Sequence, residues 1–194
     1  MTEPVFFYDF SSPYSYLSAH RVDRVLPVRP RWQPILFGAL LTEIGREPWS
    51  WHEGPARDAQ MRECEERAQA LGLPLRWPRD WPMGTYSILV LRAALVADDL
   101  DRLREFSLVA FKQGLGLGRD LTELDVVLEV AEQAGIDGEA ISTGVQTPAI
   151  KQRLRDVTTA ARELGVTGVP TVRVGDRLFW GDDRLPDAAA ALAG

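Results

Sequence analysis

The spacing of apolar positions changes twice along the chain and predicts the order of its elements. Residues 4–10 (PVFFYDF) are apolar almost without interruption, which is typical of a buried strand. From Pro13 to Pro27, small and apolar side chains recur every three or four positions, which predicts a helix. Residues 28–37 alternate in part and contain prolines, so they predict an edge strand. In a strand, helix, strand unit of this kind the two strands are expected to pair in parallel.

The middle of the chain has the spacing of helices, interrupted by loops rich in proline and tryptophan. Helices are predicted over 38–45, 56–72, 85–99, 100–116, 120–135, 137–145 and 147–165, with loops at 46–55 and 73–84. Asp120 and Glu123 have the spacing of a capping box at the start of their helix. Thr147 before Pro148 is typical of an N-cap followed by the first helical residue.

The end of the chain returns to strands. Residues 170–174 and 177–180 flank a Gly-Asp turn and predict a hairpin, and a closing helix is predicted over 183–193. The predicted order is therefore βαβ, a block of helices, then ββα. This order indicates an α/β fold in which one sheet is built from both ends of the chain.

The same order predicts two domains. We expect the sheet domain to contain residues 1–40 and 166–194, with part of the 146–165 helix, and an all-helical insertion domain to contain 41–145. An insertion in this position would cover a cleft over one edge of the sheet. Clefts of this type are where small-molecule sites tend to lie.

Composition narrows the class of protein. The 194 residues are 45% hydrophobic, which is enough for a sizeable core. The net charge of −6, with no block of basic residues, argues against a nucleic-acid partner. No apolar run is long enough to cross a bilayer, so no membrane partner is expected. The single cysteine, Cys64, and the lack of a secretory signal favour the cytoplasm.

The junction of the first strand and the first helix carries the first candidate for chemistry. Ser12 stands there, directly before Pro13. In a functional interpretation its hydroxyl donates a hydrogen bond to a thiolate or oxyanion, since free N–H groups at a helix start favour an anion. In the alternative interpretation Ser12 is an N-cap with no other role. The residues alone leave both open.

Two further candidates lie near the end of the chain. Val169 before Pro170 either enters a strand in the ordinary way or forms a cis bond, which would turn the Val169 backbone outward to pair with an extended ligand. Asp182 and Asp183 either cap the last helix or bind an ammonium group, such as that of a γ-glutamyl peptide.

These segments together resemble one family. The motifs are S-P-Y-S at 12–15, T-P-A-I-K at 147–151, G-V-P-T at 168–171 and G-D-D-R at 181–184. They are similar to the DsbA-like thioredoxin superfamily, in the branch that contains 2-hydroxychromene-2-carboxylate isomerase and the kappa-class glutathione transferases. The resemblance spans essentially the whole chain. It implies a thioredoxin-like βαβ…ββα sheet with an all-helical insertion domain.

The resemblance also implies roles for individual residues. Ser12 resembles the serine that replaces the nucleophilic cysteine of the thioredoxin fold and stabilises the thiolate of glutathione. The residues implied to bind the cofactor are Ser11, Val169, Pro170, Asp182, Asp183 and Arg57. Within this set the Val169 backbone pairs with the cysteinyl part, and the two aspartates bind the γ-glutamyl end. The pocket for a second substrate is expected to contain Tyr14, Trp49, Trp51 and Tyr86, and no metal site is expected.

The activity implied by the resemblance is a thiol-dependent isomerisation. Glutathione, or another low-molecular-weight thiol, would add reversibly to a small conjugated aromatic carbonyl compound, in a protein that forms a homodimer. The alternatives are a kappa-like glutathione S-transferase and a non-catalytic binding protein with the same fold. A dithiol oxidoreductase is disfavoured because the chain has no C-x-x-C motif. The loop at 45–55 and Gly84 depart from the family pattern, which leaves the second substrate open. Cys64 is expected to be a surface or half-buried thiol.

Overall fold

The sheet of the computed structural model, which describes residues 3–82 and 87–193, is built from both ends of the chain. Within these residues its strands are β1 (Val5–Tyr8), β2 (Arg31–Pro34), β3 (Thr171–Val174) and β4 (Arg177–Trp180), in the order β2-β1-β3-β4. β1 pairs in parallel with β2 and antiparallel with β3, and β3 pairs antiparallel with β4. The predicted parallel unit, the hairpin and the edge position of β2 are therefore confirmed.

Helices occupy most of the chain between β2 and β3. The helices are α1 (Pro13–Ala19), α2 (Val22–Val25), α3 (Phe37–Glu43), α4 (Pro55–Ala70), α5 (Ile88–Asp99), α6 (Leu103–Phe111), α7 (Leu124–Gln133), α8 (Gly138–Gly144), α9 (Pro148–Glu163) and α10 (Leu185–Ala193). Short turns of helix also occur at Trp49–Trp51, Lys112–Gly116 and Asp182–Arg184. In the described part of the chain, no helix is long and apolar enough to cross a membrane. The division into two domains at residues 41 and 145 stays a prediction.

The first helix is shorter than predicted, because it breaks at His20 and resumes at Val22. The break follows from tertiary contacts at Asp182. Ser18 donates a hydrogen bond of 2.9 Å to this carboxylate, and the Arg21 guanidinium lies 3.7 Å from it. A buried carboxylate requires such partners, and their free energy outweighs that of a continuous helix.

The predicted capping box at Asp120 is wrong. The helix begins at Leu124, and Glu123 is its N-cap residue without a side-chain cap bond. Asp120 instead accepts a hydrogen bond of 2.8 Å from the N–H of Thr122, which closes a turn before the helix. The predicted cap at Thr147 is confirmed, since its hydroxyl accepts from the N–H of Ile150 at 3.3 Å.

The core lies on both faces of β1, which explains why the strand is a continuous apolar run. Phe6 and Tyr8 point to one face, where their rings stack at 5.3 Å and join the large cluster that runs into the helical segment. Val5 and Phe7 point to the other face and pack against α9 through Ala161. Because successive side chains of a strand alternate between faces, burial on both sides replaces the alternating pattern of a half-exposed strand.

Candidate active site

A cavity of about 590 Å³ lies beyond the end of β1, between the start of α1 and the end of β4. Its walls include the predicted residues Ser11, Ser12, Tyr14, Trp49, Trp51, Val169, Pro170, Asp182 and Asp183. Arg57 does not line it, and Tyr86 lies outside the described residues. The walls also contain residues that the sequence did not indicate, among them Arg46, Arg67, Trp81 and Trp180. The structure thus brings most of the predicted residues to one place.

Ser12 is the N-cap residue of α1 and is also exposed to the cavity. Its Oγ accepts a hydrogen bond of 3.2 Å from the N–H of Ser15, so the capping interpretation is confirmed. Capping uses a lone pair of the oxygen and leaves the hydroxyl proton free. That proton is directed at the carbonyl of Val169 across 3.5 Å, the outer limit of a hydrogen bond. The Ser12 hydroxyl can therefore donate its hydrogen bond to a ligand instead, while its oxygen still caps α1.

Ser11 has no such freedom, because its side chain is bound to Asp9. The buried Asp9 carboxylate accepts from the N–H and the hydroxyl of Ser11, each at 2.9 Å, and from the N–H of Phe37 at 2.8 Å. Burial raises the pKa of Asp9, and the hydrogen bonds from Ser11 and Phe37 oppose this effect. Asp9 thus holds the strand end against the start of α3. A charged residue inside an apolar run is the signal that could have identified it.

The Val169–Pro170 peptide bond is cis, as the ligand-binding interpretation of this segment requires. Within residues 3–82 and 87–193, the Val169 N–H has no hydrogen-bond partner. The carbonyl of the next residue, Pro170, accepts from the N–H of Gly181 at 2.9 Å. This bond joins the segment to the end of β4. The Val169 N–H is available at the cavity, and the Val169 carbonyl accepts the long contact from Ser12.

The two aspartates at the end of β4 differ in their environment. Asp182 is only 2% exposed, and its carboxylate is bound by Ser18 at 2.9 Å and by Arg67 at 3.1 Å. Asp183 is exposed, lines the cavity, and has no ion pair or hydrogen bond from its side chain in the described part of the chain. Neither side chain caps a helix. Only Asp183 therefore has a carboxylate free for a ligand.

The arginines of the site also differ from expectation. Arg57 donates to the backbone carbonyl of Trp81 at 3.3 Å, and its guanidinium lies 5.8 Å from the centre of the Trp81 ring. Arg57 therefore contacts a residue of the cavity wall and does not line the cavity itself. Arg67, from the same helix, reaches the cavity and binds both Glu63 and Asp182 at 3.1 Å. The sequence of α4 shows no distinct apolar face, so it did not indicate which arginine of this helix faces the site.

Part of the cavity wall is aromatic. The ring of Trp49 lies 6.4 Å from that of Tyr14 and 5.6 Å from that of Trp81. Trp51 is 44% exposed and lies at the rim of the cavity. A wall of this composition favours a planar apolar ligand, since aromatic rings pack well against one another.

Cys64 is fully buried beside Tyr14, so the expectation of a surface or half-buried thiol is wrong. Burial raises the pKa of Cys64 to about 12, and a hydrogen bond with Tyr14 opposes the shift. Burial likewise raises the pKa of the Tyr14 hydroxyl. Both groups are neutral at physiological pH, and Cys64 is not a nucleophile there because the reactive species is the thiolate.

Comparison with known proteins identifies the family. The model of the DSBA-like thioredoxin domain matches residues 5–193. The chain belongs to this family. Its fold is thus the predicted thioredoxin-like α/β fold, and a solved structure of 2-hydroxychromene-2-carboxylate isomerase superposes with a TM-score of 0.86, at 25% identity, over 99% of this chain and 95% of the other.

Several curated relatives of the chain are named as enzymes. The chain is 30% identical over 193 residues to 2-hydroxychromene-2-carboxylate isomerase of Sphingobium xenophagum, covering 95% of each chain. It is 24% identical over 196 residues to glutathione S-transferase kappa 1 of Rattus norvegicus, covering 92% of this chain and 85% of the relative. These similarities place the protein among enzymes of the isomerase or transferase type, as predicted.

Proposed function

We propose that the protein is an isomerase of small conjugated aromatic carbonyl compounds that uses glutathione, or another low-molecular-weight thiol, as its cofactor. The observation that carries the proposal is the position of the Ser12 hydroxyl, which faces the backbone carbonyl of Val169 inside a cavity with aromatic walls. The name of the relative from Sphingobium xenophagum supports the isomerase reaction. A cytoplasmic location agrees with a single cysteine in the chain.

The donors and acceptors of the cavity fit a γ-glutamyl thiol. The Val169 backbone offers one N–H and one carbonyl to an extended peptide, the Asp183 carboxylate offers a partner to an ammonium group, and the Ser12 hydroxyl offers a donor to sulfur. A free thiol has a pKa of about 8.5, so it is mostly protonated at neutral pH. One hydrogen bond to the thiolate contributes about 1 kcal/mol, or most of one pKa unit.

In this proposal the protein positions the two ligands and provides polar groups that stabilise charge on the sulfur. A bound thiol would supply the nucleophile for reversible addition to a conjugated carbon of the substrate. Ser12 would donate a hydrogen bond to the sulfur of that thiol. Tyr14 lies in the same wall, and its hydroxyl stays protonated because burial raises its pKa and it bonds to Cys64. The tryptophans orient the aromatic part of the substrate and exclude water.

A kappa-like transferase is the second candidate, favoured by the similarity to the rat enzyme. The two reactions differ in the fate of the thiol. An isomerase returns the thiol and releases a product of the same composition as the substrate, whereas a transferase leaves the thiol attached to the product. Mass spectrometry of the products therefore separates the two.

The test is the substitution Ser12→Ala, assayed with glutathione and 2-hydroxychromene-2-carboxylate. We expect kcat/KM to fall by about tenfold or more, because the donor to the thiolate is lost. The substitution also removes an N-cap, which costs about 1 kcal/mol of stability. Thr147→Ala is the matched control, since it removes the N-cap of α9 away from the cavity. The proposal fails if Ser12→Ala and Thr147→Ala lower stability alike and both leave turnover unchanged.

A further inference from the structure

Most of the charged side chains that line the cavity contact a partner side chain. Glu63 and Asp182 both bind Arg67 at 3.1 Å, and Glu47 lies 3.1 Å from His52. Arg46 is an exception among the described residues, since its guanidinium has no ion pair and no hydrogen bond there. A positive charge in a ligand cavity without an internal partner is available to an anionic group of the ligand.

Arg46 is held in place by an aromatic ring. Its guanidinium lies 5.7 Å from the centre of the indole of Trp180, at the end of β4. The indole in turn packs directly on Gly168, where an added Cβ would lie 2.3 Å from its Nε1. Gly168 precedes Val169, so the contacts link the guanidinium to the segment with the free backbone N–H. A guanidinium that lies over an indole makes no hydrogen bond to it, so its N–H groups remain free to donate to an anion.

The opposite free charge lies close by in the chain. Asp183 follows Trp180 by three residues, lines the same cavity, and likewise has no side-chain partner in the described part of the chain. Among the described residues that line the cavity, Arg46 and Asp183 are a cation and an anion without an ion-pair partner, and both lie near the end of β4. A ligand that matches both carries an ammonium group and a carboxylate, or the site receives two ligands that carry one each.

We propose that Arg46, supported by the ring of Trp180, is the carboxylate-binding residue of this cavity. The inference rests on the proposed thiol-dependent function and adds a requirement for a carboxylate on one of its two ligands. The carboxylate belongs either to the C-terminal residue of a peptide thiol or to the aromatic substrate. A planar guanidinium suits either, because it binds a carboxylate through two parallel hydrogen bonds.

Titration calorimetry with two pairs of ligands tests the inference. The first pair is glutathione and its glycine monoethyl ester, and the second is cinnamate and cinnamamide. Within each pair only the carboxylate is lost. For at least one pair, we expect the wild-type protein to bind the acid about tenfold or more tightly than its neutral counterpart. Arg46→Gln removes this preference, and Arg46→Lys retains part of it.

Arg177→Gln is the matched control. Arg177 lies on the same strand as Trp180 and over a ring, that of Phe179 at 4.9 Å, but does not line the cavity. We expect Arg177→Gln to leave the preference for the carboxylate ligand unchanged. A loss in the glutathione pair assigns the carboxylate to the thiol, and a loss in the cinnamate pair assigns it to the aromatic substrate.

The inference is overturned if the wild-type protein shows no preference for the acid in either pair, or if the preference survives Arg46→Gln. These outcomes are separate from failure of the proposed function. Equal binding of glutathione and its ester, with no preference for cinnamate, removes the role of Arg46 and leaves the thiol site intact. Absence of binding by both glutathione and its ester removes the thiol cofactor, and the cinnamate pair still decides the role of Arg46.

Discussion

The indole Nε1–H of Trp81 donates a hydrogen bond of 3.2 Å to the backbone carbonyl of Ser11, one residue before the serine at the start of α1. The bond connects the loop after α4 to the junction of β1 and α1. The ring of Trp81 also packs against Trp49 in the aromatic wall. One side chain therefore fixes the position of the Ser12 peptide relative to the surface on which the aromatic substrate is proposed to lie.

Substitution of Trp81 by Phe tests this connection. The ring is largely retained, but the Ser11 carbonyl loses its donor, so the Ser12 hydroxyl is held less firmly. We expect kcat/KM to fall several-fold and the free energy of unfolding to fall by about 1 kcal/mol. Trp77→Phe is the control, because it removes an indole N–H that donates to the exposed Glu65. Equal kinetic effects of the two substitutions would contradict a positioning role for Trp81.

The contrast between Asp182 and Asp183 leads to a second prediction. Asp182→Asn leaves the arginines at this site without their buried anion and should lower the free energy of unfolding by about 3 kcal/mol. Asp183→Asn changes an exposed side chain and should alter stability by less than about 0.5 kcal/mol, yet weaken glutathione binding about tenfold. Urea unfolding and calorimetry measure the two effects. Similar loss of stability in both variants would show that the carboxylates are equivalent.

The buried thiol of Cys64 predicts a dependence of stability on pH. Burial raises the pKa of Cys64 to about 12, whereas a thiol in the unfolded chain titrates at about 8.5. Above that pH the unfolded chain loses the proton that the folded protein keeps, so the contribution to stability is complete below about pH 8.5 and falls between 8.5 and 12.

Cys64→Ala removes this contribution. From pH 7.5 to 9.5, urea unfolding should show the wild-type protein losing about 1 kcal/mol more than the variant. The tyrosines near the site are present in both proteins, so their titration largely cancels in the comparison. Parallel pH profiles of the two proteins would mean that the thiol is accessible to water in the folded state.

The order of the elements was predictable because it depends on local patterns. The aromatic run of β1, the cap at Thr147 and the Gly-Asp turn at the end of the chain are each defined within a few residues. The break between α1 and α2 was not predictable, since it depends on the contact of Ser18 with Asp182, which is far away in the chain.

Prediction of the candidate site from the sequence has the same limit. Ser12 was identified by its place before a proline, and the segment at Val169 by its motif, but the bond that ties Ser11 to Asp9 was not predictable from the sequence. Arg46 and Trp180 were missed because nothing in their local sequence indicates that they meet. The periodicity of a sequence does not predict contacts between side chains from distant segments.

The central place of β1 in the sheet has a consequence for synthesis of the chain. During synthesis β1 is made well before its antiparallel partner β3, and the contact of Ser12 with Val169 spans 157 residues. Until then one edge of β1 has no strand beside it, and unpaired edges favour association with other chains. Until β3 has been made, we therefore expect this edge of β1 to need protection from other chains.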